Sequence, residues 1–443
     1  MRSKKFQDIA VLLTIFISSY IFFREPFEGY ITYIFFVIYF PIFVSKFGIP
    51  RQPVMIFLPL LISGLVYIYA GNNEPGQFVK VFIGFFASVL FYNYVFQLYK
   101  FDLKYLFRLY MKGAFWVSVI GVFQVISYLV GFGPGYDFGW LFNKWGVTLG
   151  GFGIRMNSVF SEPAYFAAVI APAFYVAMYA LIKRKSELFL PRKQLIVIFA
   201  AYFLTFSTLG YMGIFLAIVL LLINLGFFKY VLIIGPILYF GYNAAYNNIE
   251  EFRERIDGTQ QVFGEQNITS YEVHGSSFVL YNNYHVATEN FKRNWLFGTG
   301  LGSHETAFNE YSLTNTQGVL KIDFNKKDAN SMFLRLMSET GLYGLVFIFV
   351  FLIRCFVMKS RSADDEMWLI SNAAAMIIIL YLARQGHYFL NGFPFFLWLY
   401  YFTWKQNKEA LFVQDEEAVA QPNSRAEPSL TPATSHSSQE LKS

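Results

Sequence analysis

The 443-residue chain is 56% hydrophobic and 21% aromatic but only 14% charged, with a formal net charge of +6 and a mean hydropathy of +0.42. These proportions exclude a water-soluble globular domain and predict a polytopic membrane protein; no nucleic-acid partner is expected. The single cysteine, Cys355, lies in an apolar run and excludes an intramolecular disulfide.

A membrane-spanning helix needs about 20 mostly apolar residues. Twelve such runs follow in order: 7–23, 29–45, 53–71, 78–98, 113–131, 164–182, 194–209, 211–227, 230–246, 333–357, 367–384 and 388–404. Basic residues at Arg2, Lys4 and Lys5 place the N-terminus in the cytoplasm. Alternate connections are basic as that orientation requires: Lys46 and Arg51; Lys100, Lys104, Arg108 and Lys112; Lys183 to Lys193; Lys229; Lys359 and Arg361. The even count and the flanking Lys405 and Lys408 return the C-terminus to the cytoplasm. No small-residue cleavage site follows the first run, so it is expected to be retained. The fold expected is an all-α polytopic membrane protein of about twelve transmembrane helices.

Two connections, 132–163 and 247–332, are too long to be turns, and both fall on the outer side, the larger between helices nine and ten. They belong to a transmembrane catalytic domain, 1–404. A Ser-, Pro- and Glu-rich tail, 405–443, is expected to be disordered and cytoplasmic. No internal repeat is evident, which counts against an inverted-repeat transporter.

Lys80 lies near the outer end of the fourth apolar run. Lys144 and Arg155 follow in the 132–163 connection, where an ammonium and a guanidinium fork suit a phosphate or diphosphate. Arg155 opens the polar run Arg155-Met-Asn-Ser158-Val-Phe-Ser-Glu162-Pro163, at the mouth of the sixth apolar segment. Glu162-Pro163 reads as a helix start, with the carboxylate at the positive end of the dipole; a catalytic role for Glu162 is the alternative. The Thr205-to-Gly213 hairpin of hydroxyl residues and glycines reads first as close helix packing.

In the large connection, Tyr281 to Arg293 reads as a helix with His285 on it and Lys292 and Arg293 in its last turn, followed by a glycine turn through Gly298, Gly300 and Gly302. That glycine run is not taken as a nucleotide loop, because no strand precedes it. His274, His285 and His304 lack metal-ligand spacing, so no metal site is predicted. Asn330 or Ser331 is a good N-cap for the tenth segment, in which Arg335 and Glu339 stand four residues apart. Charges at that depth should face a bundle interior. Arg384 and His387, at the outer end of segment eleven, can line the same cavity.

Taken together, four blocks resemble the family of O-antigen and polysaccharide polymerases (Wzy) and O-antigen ligases. They are Arg155-x-x-Ser158-x-Phe-x-Glu162-Pro163, Ser207 to Gly213, Asn294-Trp-Leu-Phe-Gly298-x-Gly300-x-Gly302, and Asn330 to Gly344 with Ser338-Glu339 inside it. Their order and the position of the large outer loop carry the resemblance across most of the membrane region. It implies a glycosyltransferase of the bacterial inner membrane, needing neither metal nor nucleotide. It would join undecaprenyl diphosphate-linked oligosaccharides at the outer face into O-antigen, capsular or exopolysaccharide. Membrane lipid, a flippase and a chain-length regulator would be its partners. A ligase transferring glycan to lipid A core in lipopolysaccharide assembly, and a transporter of lipid-linked sugars, are the alternatives. Ala329 stands where ligases carry a histidine, and Leu280 or Tyr281 near a position where an arginine is common. The expected substrate-binding residues are Arg155, Lys80, Lys144, Arg293, Asn330, Arg335 and Arg384; the base is sought among Glu162, Glu339, His285 and His304.

Overall fold

The computed structural model describes residues 4–24, 28–150, 153–226, 231–248, 250–264, 275–315 and 325–420. Among them the regular structure is helical, apart from two-residue strands β1 (Glu187–Leu188) and β2 (Leu190–Pro191), which pair antiparallel, and isolated bridges. The helices in chain order are α1 (Lys4–Phe16), α2 (Ile31–Phe47), α3 (Arg51–Tyr69), α4 (Pro75–Leu98), α5 (Leu103–Leu129), the single turn α6 (Gly133–Tyr136), α7 (Pro163–Ile182), α8 (Arg192–Phe203) and α9 (Thr208–Leu225). Then come α10 (Val231–Asn248), α11 (Glu250–Gly264), α12 (Gly275–Arg293), α13 (His304–Tyr311), α14 (Met332–Glu339), α15 (Gly341–Arg354), α16 (Asp365–Arg384) and α17 (Phe393–Ala420).

Six of these, α3, α4, α5, α7, α9 and α16, are long and apolar enough to cross a membrane, so the chain is a helical membrane protein. Every one of the twelve apolar runs carries helix, but several are too short to span alone. The first stops at Phe16, after which the chain is extended and Ile21 bridges to Tyr30. The seventh is the 12-residue α8. The tenth is broken between α14 and α15, where the Gly300 N–H donates to the Glu339 carbonyl at 2.7 Å and ends the helix there. The tail is a further correction: residues 405–420 continue α17 as helix, and 421–443 lie outside the described residues.

The centre of the bundle is α7, whose residues Phe166 to Ala171 and Ala173 to Ala177 are wholly enclosed. Its many alanines let α5, α8, α9 and α16 approach closely, which is how apolar helices pack where no water drives them together. Pro172 interrupts the α7 ladder, and Tyr110 of α5 repairs it. The Tyr110 hydroxyl donates to the Val169 carbonyl at 2.7 Å and accepts from the Ala173 N–H at 3.2 Å.

Alternate connections meet at opposite ends of the bundle. At one end Lys144 N–H bonds the Ser19 carbonyl, Met156 N–H the Leu204 carbonyl, and Asn73 the Leu301 carbonyl. At the other end Asp8 accepts from Tyr99 and Tyr105, Lys104 pairs with Asp364 at 2.9 Å and Glu366 at 3.0 Å, and Asn407 accepts from the Ala363 N–H. The first end gathers the polar motifs.

Candidate functional site

The Arg155 loop is pinned from below by one side chain. Gln124, enclosed in α5, accepts the N–H groups of Asn157 and Ser158 on its carbonyl oxygen at 3.2 and 2.9 Å, and donates to Asn157 Oδ1 at 2.7 Å. Asn157 in turn donates to the Gly146 and Phe160 carbonyls. Ser158, in the left-handed region at φ 50°, donates its hydroxyl to the Val117 carbonyl at 2.7 Å, and Trp145 donates to the Ser158 carbonyl at 2.8 Å. The run therefore folds as a fixed scaffold that carries half-buried Arg155 near its start and exposed Glu162 at its end. Glu162 occupies the N-cap position before Pro163, yet its carboxylate makes no capping hydrogen bond. The side chain is open to solvent but crowded by protein, which raises its pKa; Asp328 adds to the rise, while His387, Lys144 and Arg155 oppose it.

Lys144 reaches across to the first connection, where its ammonium lies 2.5 Å from Glu28 Oε2 and 2.8 Å from the Tyr30 hydroxyl. Tyr30 also donates to Glu28. Burial pushes the Glu28 carboxyl up, but these two partners outweigh it and hold it below the usual carboxylate range. Lys144 is thus a shared cation and not a lone one.

Beside this cluster stands an acid–imidazole pair. Asp328 Oδ2 lies 2.9 Å from His387 Nε2, and the same nitrogen is 2.9 Å from the Tyr165 hydroxyl at the start of α7. Asp328 Oδ1 accepts from Asn325 at 2.9 Å and from the Asn330 N–H at 3.2 Å. Burial alone would raise the Asp328 pKa; the His387, Asn325 and Asn330 contacts outweigh it and hold the carboxyl ionised well below its ordinary range. The Asp328 side chain is 9% exposed and that of His387 29%, so the acid is the inner member and the imidazole the outer one. Gly386 makes the approach possible: a Cβ there would meet the Asp328 carbonyl oxygen at 1.5 Å. Ala329 and Asn330 are both left-handed, at φ 57° and 56°, so the turn that delivers Asp328 is strained.

Behind the pair lies a buried ion pair. Arg335 Nε donates to Glu339 Oε1 at 2.9 Å and its Nη1 to the Gly386 carbonyl at 2.8 Å. Tyr388 donates to Glu339 Oε2 at 2.9 Å, lies under the Arg335 guanidinium at 4.3 Å, and stacks on Phe85 of α4. Glu339 has both oxygens occupied and no exposed surface. It holds Arg335, which holds the Gly386 backbone. The glycine block completes this wall. A Cβ at Gly298 (φ 62°) would meet the Glu339 carbonyl carbon at 2.4 Å, and one at Gly341 (φ 59°) the Gly298 nitrogen at 2.6 Å. These glycines serve backbone-on-backbone packing.

The remaining sequence candidates separate. Lys80, half-buried on α4, lies within electrostatic range of Glu28, Glu305, Lys327 and Arg335, and so belongs to the cluster. Asn330 contributes its backbone to Asp328, while Ser331 is the N-cap of α14. Arg384 closes the last turn of α16. His304 is enclosed, its Nε2 3.0 Å from Asn283 Oδ1 and its Nδ1 without a hydrogen-bond partner. Burial, then the nearby Arg335 charge, lower its pKa to about 3 against a weaker opposing pull from Asp328. Arg293 is turned to the exposed end of α12, paired with Glu310 at 3.3 Å and set over the Tyr311 ring. His285 sits half-buried on the same helix, near Glu289. Asp328, Glu28, Tyr165 and Tyr388 went unselected in the sequence. Only Glu28, a carboxylate in a short connection between apolar runs, carried a local signal.

No protein-family model matches this chain, and no curated protein matches it in sequence.

Proposed function

We propose that the protein is a polysaccharide polymerase of the Wzy type, spanning the bacterial inner membrane up to twelve times, with both termini cytoplasmic and its site on the outer side. The reading is carried by one observation: cations suited to a diphosphate and a carboxylate-held imidazole converge at the same end of an apolar helix bundle. A lipid-borne substrate is the kind that reaches such a site.

In this reading the donor is a glycan on undecaprenyl diphosphate and the acceptor a sugar hydroxyl of the next lipid-linked repeat unit. Arg155, with Lys80 and the shared Lys144, meets the diphosphate charge that grows as the bond from the anomeric carbon to the phosphate oxygen breaks. The Asp328 carboxylate fixes the proton of His387 on Nε2, which leaves Nδ1 as the basic nitrogen to take the acceptor's hydroxyl proton while the acceptor oxygen bonds the anomeric carbon. Glu162, within electrostatic range of His387, Lys144 and Arg155, orients the acceptor. Arg335, Glu339 and Gly386 position this set without touching substrate.

Chain length in cells tests the reading. With Arg155→Gln replacing the native residue, the carrier lipid should hold single repeat units in place of long glycan; a full ladder of lengths would sink the proposal. Normal ladders on the carrier lipid combined with failed transfer to lipid A core would point to the ligase instead.

A further inference from the structure

A second site begins beneath the cluster described above and runs to the other end of the bundle. An apolar cavity of about 690 Å³ opens sideways between α3 and α15, floored by α4, α16 and α17. That volume falls in the range of sites that hold small amphiphiles. Its walls are aromatic and aliphatic, with Met55 and Phe347 on the outer faces. One end reaches Tyr388 and Thr340, under the buried ion pair. The other end is rimmed by Arg51, the first residue of α3, and Arg354, the last of α15.

Both arginines are exposed, and among the described residues neither is paired with a carboxylate. The Arg354 guanidinium lies over the Trp404 ring at 5.7 Å, and the Lys408 ammonium over the same ring at 6.0 Å. A tryptophan clasped between cations at a groove's rim is the arrangement found at membrane–water boundaries, with the cations facing anionic headgroups. An isoprenoid tail entering from the cluster end would bring its uncharged terminus to these arginines, and would give no reason for them. A phosphate headgroup would.

We infer that this groove binds a diacyl phospholipid with an anionic headgroup from the cytoplasmic leaflet, its phosphate on Arg51 and Arg354 and an acyl chain along Phe347. The inference stands independently of the polymerase proposal, since Arg51, Arg354 and Phe347 lie outside the outer cluster.

The test uses the purified, delipidated full chain in detergent, titrated with phosphatidylglycerol or with phosphatidylcholine of the same acyl chains, the adducts being counted by native mass spectrometry. Phosphatidylglycerol should bind about tenfold more tightly, and R51Q/R354Q should reduce it to the phosphatidylcholine level. Phosphatidylglycerol brominated in its chains should quench a share of the fluorescence that the Trp404→Phe variant lacks. Equal binding of the two lipids, or a preference that survives the double substitution, would overturn the inference. So would displacement of the brominated lipid by undecaprenyl phosphate with equal ease in native and R51Q/R354Q protein, which would assign the groove to a substrate tail.

Discussion

Asp328 Oδ2 sits 2.9 Å from His387 Nε2, although the chain between them runs through α14, α15 and α16. Two features hold the pair together: the absence of a side chain at Gly386 and the grip of Arg335 on the Gly386 carbonyl.

Gly386→Ala should therefore break the site although the added group is one methyl. The new Cβ would overlap a backbone oxygen that cannot swing away, so Asp328 or the 385–388 connection must shift. We expect lowered thermal stability and loss of glycan extension together. Gly133→Ala, where a Cβ meets nothing within 4 Å, is the control and should behave as the native protein.

Removing one member of the Arg335–Glu339 pair strands a buried charge, at a cost of about 3–5 kcal/mol. Glu339→Leu and Arg335→Met should each unfold well below the native temperature in detergent. The double variant should recover much of that loss, because no unpaired charge remains.

His304 sets a pH dependence with a defined sign. Its pKa is near 3 in the folded chain against about 6.5 when unfolded, so between these values the unfolded state binds a proton that the folded state refuses. Stability should fall as pH drops from 6.5 toward 3, by up to about 1.4 kcal/mol per pH unit. Asp328, whose pKa is depressed on folding, keeps its contribution above about 4 and loses it only on further acidification. Denaturation midpoints between pH 6.5 and 4 should therefore flatten in His304→Asn while the native slope persists in the parent protein.

Gln124→Ala leaves the N–H groups of Asn157 and Ser158 without their acceptor. At about 1–3 kcal/mol for each buried unsatisfied group, the Arg155 loop should loosen. Faster amide exchange confined to 153–160 is the expected signature; exchange unchanged from native would show that the loop is held elsewhere.

Apolar content made the helices readable, since each run of the sequence carries one, and the crowding of charges at outer helix ends pointed to Arg155, Lys144, Lys80 and Arg335. Helix breaks were less legible. The stop after Glu339 depends on a hydrogen bond from Gly300, and the short α1 on an extended chain bridged to Tyr30, both tertiary facts. Glu162 looked like a cap because carboxylate-proline is a helix-start pattern, and it does hold the N-cap position, yet its carboxylate makes no capping hydrogen bond. Glu339 and Arg293 looked alike as charges near the mouth of a cavity. In the fold one is sealed behind Tyr388 and the other faces outward onto Glu310. Asp328 and His387 share no spacing rule at all; their meeting is made by a turn and a glycine.

Liposomes holding purified protein and undecaprenyl diphosphate-linked repeat units, with no sugar nucleotide, put the central claim to its most direct trial. The account predicts a ladder of lipid-linked glycans growing by whole repeat units, lost in Arg155→Gln and His387→Gln protein that still folds. Substrate that crosses the bilayer unextended, or extension untouched by both substitutions, would contradict it.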